Sequence, residues 1–139
     1  MIYTNNREAY RQSFCTAWQK HKKGLACEPL EMKLIEVILA HPEYHAYLEK
    51  STSHPPQEFV PEENPFIHMS LHLALRDQLH LDRPLGIKQI ANQLFAKYAE
   101  SHYVEHLLIQ CLAQILWEAQ QKGVTPNEDL YLQYLKELT

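Results

Sequence analysis

The sequence predicts an all-α protein, a single bundle-like domain over residues 1–139 with five or six helices. Three observations predict it. Apolar residues recur at helical spacing along almost the whole chain. No segment alternates apolar and polar residues in the way a half-buried strand requires, and no internal repeat is visible. Residues that start and stop helices stand where the periodic runs begin and end. A chain of 139 residues is also long enough to enclose a core of its own.

The elements follow in order. Tyr10, Phe14, Ala17 and Trp18 make one apolar stripe, with Asn5 or Asn6 as the cap and fraying expected between Lys22 and Gly24. Pro29 suits the first turn of a second helix, which carries Leu30, Leu34, Val37 and Ile38. His41-Pro42 ends it, because proline disfavours helical geometry in the residue before it. A short helical piece restarts at Pro42 and runs to Glu49. Residues 51–64, STSHPPQEFVPEEN, are polar and proline-rich, and read as a loop and candidate lid.

Asn64-Pro65 pairs a capping side chain with a first-turn proline and opens a helix to Leu79. The turn HLDRPLG, in which Asp82 reads as a turn or cap residue, leads to an amphipathic helix through Ile87, Ile90, Ala91, Leu94, Phe95 and Tyr98. Ser101 is the expected cap of a helix that ends at Gly123. Asn127 caps a last helix through Leu130, Tyr131, Tyr134, Leu135 and Leu138.

Composition narrows the function classes. A net charge of −4 with scattered basic residues gives no footprint for nucleic acid. The one basic cluster, Lys20 to Lys23, complements a helix C-terminus. The longest apolar run, Leu107 to Trp117, is broken by two glutamines and too short to span a bilayer. With no signal-peptide pattern at the start, a cytoplasmic protein without membrane partners is expected. Cys15, Cys27 and Cys111 show neither disulfide nor zinc-finger spacing, so free thiols within apolar patterns are expected. With only Gly24, Gly86 and Gly123, there is no phosphate-cradling loop and no nucleotide cofactor is expected. An unidentified protein or a small molecule remains as the partner class.

The histidines carry the sharper signal. Of nine, six form pairs four residues apart: His41/His45, His68/His72 and His102/His106. That spacing puts two imidazoles on one helix face, close enough to share a metal ion. Pro42 weakens the inference for the first pair. His68 and His72 fall beside Leu71, Leu75 and Leu79, while His102 and His106 edge the stripe of Ile109, Ala113 and Trp117. Glu105 falls inside that stripe, between Leu112 and Leu116. A carboxylate there is costly unless it is paired, hydrogen-bonded or coordinated.

Three readings stay open. In the first, two helices face each other and His68, His72, His102 and His106 bind a divalent transition metal, with Glu105 as ligand or general base. Zinc, iron, manganese or nickel would suit such a set. His-x-x-Glu-His is also the spelling of an inverted zinc-peptidase site, although neither a cleft nor a third ligand is advertised. In the second, the histidines form a hydrogen-bond network that fixes helix register without metal, on a protein-interaction module that would use its tyrosine-rich last helix or its proline-rich loop. In the third, Glu105 belongs to the first helical turn, is favoured by the dipole and reaches water. His41, His45 and Glu118 stand as second-shell candidates, Glu118 also reading as a solvated carboxylate.

HPEYH at 41–45, NPFIHMSLHLAL at 64–75, DRPLGI at 82–87, Glu105-His106 and LWEAQ at 116–120 together resemble a family of short bacterial, mainly proteobacterial, proteins known as domain of unknown function 1841. The resemblance covers nearly the whole chain. It implies a small all-helical protein with no assigned activity, and sets His41, His45, His68, His72, Glu105, His106 and Glu118 within family motifs. His102 lies outside them. The resulting expectation is a helical protein with a metal site, as a metal-dependent hydrolase or a metal-binding accessory protein.

Overall fold

The computed structural model describes residues 7–50 and 64–139. The expected Asn5 or Asn6 cap, the Tyr10 side chain and the proline-rich stretch up to residue 63 lie outside the described residues. Seven α-helices make up the described chain: α1 (Arg7–Lys22), α2 (Pro29–Leu39), α3 (His45–Lys50), α4 (Pro65–Leu81), α5 (Ile87–Lys97), α6 (Ser101–Lys122) and α7 (Glu128–Glu137). A 3-10 turn, Pro42–Tyr44, precedes α3, and no strand occurs among the described residues. The all-α expectation therefore holds, but five or six helices was too few. The short piece after Pro42 closes its own hydrogen bonds and counts as a separate helix, because the proline forces a break before it. No helix of the described residues is long and apolar enough to cross a membrane.

By internal contacts the chain divides into two compact units, residues 1–73 and 74–139. The boundary falls within α4. In the first unit, α2 and α3 pack against α1. Phe14, Ala17, Val37, Ile38, Leu48 and Met69 are essentially solvent-free there, with Trp18, Leu34, Ile35 and Leu73 around them. Each such side chain contributes roughly 1.5–3 kcal/mol by leaving water. Lys20 of the basic cluster reaches back to Glu31 at 2.9 Å, and Lys22 meets Glu49 at 3.0 Å. Glu31 also accepts the Glu28 N–H at 2.9 Å, so it closes the start of α2 while pairing with α1. That backbone bond first, then Lys20, holds its carboxyl below the usual carboxylate range. Cys15 is buried and Cys27 half-buried, both as free thiols.

In the second unit, α5, α6 and α7 pack on one another around Ile87, Leu94, Val104, Leu108, Leu112, Ile115, Tyr131 and Leu135. The Tyr131 hydroxyl donates to Gln78 Oε1 at 2.8 Å and ties α7 to the last turns of α4. Helix ends follow local chemistry. Asn64 Oδ1 accepts from Phe66 and Ile67, and Asn127 Oδ1 accepts from Leu130, as expected. Asp82 adopts a left-handed φ of 52° that turns its carboxylate onto the N–H groups of Gly86 and Lys88 at the start of α5. The cap of α6 is Glu100 rather than Ser101: its carboxylate accepts from the His102 and Tyr103 N–H groups. A carboxylate one residue earlier reaches two unpaired N–H groups and also meets the positive end of the helix dipole.

Candidate functional site

In the first unit three imidazoles converge. His41, just past the end of α2, is 1 % exposed, and His72, in the middle of α4, is fully buried. Their Nε2 atoms are 3.1 Å apart, and His72 Nε2 is also 3.1 Å from His68 Nε2, one turn back along α4. The rings of His41, His68 and His72 stand edge to face, with centroids 4.5–5.0 Å apart. The half-buried Tyr44 ring lies flat on His41 at 5.4 Å and edge-on to His68 at 6.2 Å. Burial pushes the Tyr44 phenol above its ordinary pKa, so it stays neutral.

The backbone determines which nitrogen of His41 carries the hydrogen. Its Nδ1 lies 2.8 Å from the Val37 carbonyl oxygen. A carbonyl only accepts, so Nδ1 carries the hydrogen, and a neutral His41 presents a bare Nε2 lone pair to His72. Anchoring one ring nitrogen on a carbonyl to leave the other as a donor atom is how metal-ligating histidines are oriented. A proton on His72 Nε2 can point along one of its two 3.1 Å contacts but not both. The spacing also fits a shared ion: two nitrogens at metal–nitrogen distances of 2.0–2.1 Å, seen at tetrahedral or octahedral angles, are separated by ~2.9–3.4 Å.

In the second unit, Glu105 in the first turns of α6 is held by Arg76 of α4. Arg76 Nε donates to Oε1 at 3.0 Å and a terminal guanidinium nitrogen approaches Oε2 at 3.4 Å, a two-pronged contact. The Glu105 side chain is only 13 % exposed. Its place in an apolar stripe demanded a partner, expected to be His68 or His72; Arg76 is the partner seen within this unit. Helical geometry accounts for it, since Arg76 follows His72 by one turn on α4 and is long enough to reach. His102 and His106, both half-buried, stand edge to face at 4.2 Å, with ring nitrogens close enough to share an ion.

The second-shell candidates separate. His45 is half-buried, stacks against Trp18 at 4.3 Å and donates from Nε2 to the Ile38 carbonyl at 3.0 Å, a role complete within the fold. Glu118 accepts from Gln114 at 3.0 Å and from the Tyr134 hydroxyl at 2.9 Å, joining α6 to α7. Those two donors hold its carboxyl below the ordinary range. Cys111 is half-buried, and burial pushes its thiol up, consistent with an unreactive core cysteine. Sequence spacing alone undervalued two residues. Pro42 weakens the spacing inference for His41, and Arg76 falls mostly outside the apolar arc of its helix, although it lies one turn beyond His72.

No curated protein and no solved structure matches the chain. A family model described as a domain of unknown function (DUF1841) matches residues 6–137, which carry every histidine and carboxylate discussed above. The resemblance read from HPEYH, NPFIHMSLHLAL and DRPLGI is thereby met, and the chain belongs to the DUF1841 family.

Proposed function

We propose that this is a metal-binding protein whose histidines hold one divalent transition ion. His41, His68 and His72 supply the ring nitrogens, all three within the first unit. The observation that carries the reading is the run of Nε2 atoms His41–His72–His68 at 3.1 Å spacings, with the His41 lone pair turned inward by its bond to Val37. Ring nitrogens that face one another at this spacing, two on buried imidazoles and one on the half-buried His68, suit a shared cation.

An all-imidazole set suits zinc, iron or nickel; manganese, which favours carboxylates, suits it less. The reading gives Glu105 no part in ligation or proton transfer, because its charge is matched by Arg76 within the second unit. Whether the ion serves hydrolysis or an accessory role depends on what else it binds.

A metal-free reading has an observation of its own. His45 shows that this fold can use a histidine purely as a carbonyl-bound packing group. Elemental analysis of protein purified without a histidine tag separates the two. The metal reading requires about one transition ion per chain and a rise in Tm on adding zinc, iron or nickel to stripped protein. Metal-free protein with an unmoved Tm leaves only the network.

A further inference from the structure

The run HPEY at 41–44 puts an aromatic ring three residues after a buried histidine, with a proline between them. Pro42 ends α2, and the chain continues as a 3-10 turn in which the Tyr44 N–H donates to the His41 carbonyl at 3.0 Å. Side chains three residues apart eclipse in such a turn, so the turn itself carries the Tyr44 ring over that of His41. The two rings lie 9° from parallel, with centroids 5.4 Å apart. The same Tyr44 ring meets His68 edge to face at 6.2 Å, and His41 and His68 stand edge to face at 5.0 Å. Tyr44 also packs against the apolar core of the first unit, which gives its ring a fixed seat.

His41 is therefore held in two different ways. The bond from Nδ1 to the Val37 carbonyl, at 2.8 Å, sets the direction of the ring, and Tyr44 laid flat against its face sets the tilt. The edge-to-face contact limits the swing of His68 in the same manner. We infer, on the metal reading above, that Tyr44 is the positioning residue of the centre. Its ring, not its hydroxyl, holds His41 and His68 at the angles that bring their Nε2 atoms to one ion with His72. Nε2 spacings of 3.1 Å already suit a shared ion, so ligands fixed there bind without first being ordered. With Tyr44 gone, that ordering falls at the moment of binding and weakens it.

Cobalt(II) is the probe, because its visible absorption responds to the number and geometry of its ligands. The full-length chain, tag-free and stripped, is titrated with cobalt in three forms: unaltered, Tyr44→Phe and Tyr44→Leu. The expected result is that Tyr44→Phe keeps the Kd and spectrum of the unaltered protein. Tyr44→Leu should bind about tenfold more weakly, the lower end of what a group orienting a metal-bound histidine contributes, and should give a changed spectrum at saturation. A merely structural role would lower the urea midpoint of metal-free Tyr44→Leu and leave the saturated spectrum as it was. That result, or a Tyr44→Phe as impaired as Tyr44→Leu, would overturn the inference and leave the metal reading standing. Where Tyr44→Leu does not fold, the tyrosine ring resonances of the unaltered protein decide. Zinc must shift one that is missing from Tyr44→Phe, and bound zinc without such a shift overturns the inference. An unaltered protein that takes up no cobalt would overturn the metal reading itself, and this inference with it.

Discussion

His41 and His45 lie four residues apart, in a spacing that on an unbroken helix would aim both rings the same way. They end in different chemistry. His45 gives its Nε2 hydrogen to the Ile38 carbonyl and lays its ring on Trp18, so the polar group is matched by backbone and the ring by packing. His41 gives its Nδ1 hydrogen to Val37, which leaves Nε2 facing another imidazole nitrogen in a place water does not reach. Pro42 makes the difference: it ends α2 between them and restarts the chain in a 3-10 turn. The half-buried His45 is used by the backbone and by packing, whereas the buried His41 brings its second nitrogen to another imidazole nitrogen.

The largest expected effect breaks or upholds that contrast directly. His41→Ala and His72→Ala should each abolish bound transition metal, whereas His45→Ala should retain it in full, all measured by elemental analysis of tag-free protein. Loss of metal in His45→Ala, or its retention in His41→Ala, would erase the distinction. Next in size, Arg76→Met leaves the Glu105 charge in an apolar stripe. Unfolding in urea should show a loss of about 2 kcal/mol, below the full cost of breaking a buried pair because Arg76 is one-third exposed. Adding Glu105→Gln should restore much of it; a double variant no better than the single one would show that Arg76 matters for reasons other than charge.

His45→Ala itself should cost only about 1 kcal/mol, the net worth of one hydrogen bond with some ring packing, read from the same urea curves. The smallest effect concerns Glu118. Its folded carboxyl is held low, first by Gln114 and then by Tyr134. Its contribution is therefore fully present above the unfolded carboxylate value of ~4.3 and is lost as pH falls through the lower folded value. Tyr134→Phe should flatten part of that decline in Tm between neutral and acidic pH. An unchanged pH profile would show that the hydroxyl does not hold the carboxylate in solution.

Much of the architecture was legible because it rests on local signals. The Asn64-Pro65 start, the Asn127 cap, Gly123 at the end of α6 and the apolar spacing of α5 act within a turn or two. The replacement of Ser101 by Glu100 as cap was not legible, since either side chain can accept those N–H groups and backbone geometry decides. At the candidate site, pairing at i, i+4 pointed to His68, His72, His102 and His106, and the stripe singled out Glu105. What spacing along one helix could not supply was which residue arrives from another helix. His41 reaches His72 across 31 positions of sequence, and Arg76 reaches Glu105 across 29. Such pairings depend on how helices pack, and a single sequence does not encode them as a pattern.

Calorimetric titration of stripped, tag-free protein with zinc, run beside thermal unfolding of the same samples, tests the central claim most directly. The account predicts one ion per chain. With free zinc at a hundred times Kd, linkage should add about 2.7 kcal/mol of stability, seen as a rise in Tm. That rise should vanish in His72→Ala and persist in His45→Ala. No heat of binding and an unmoved Tm with zinc, iron and nickel alike would contradict it, and would leave His41, His68 and His72 as a proton-sharing network within the fold.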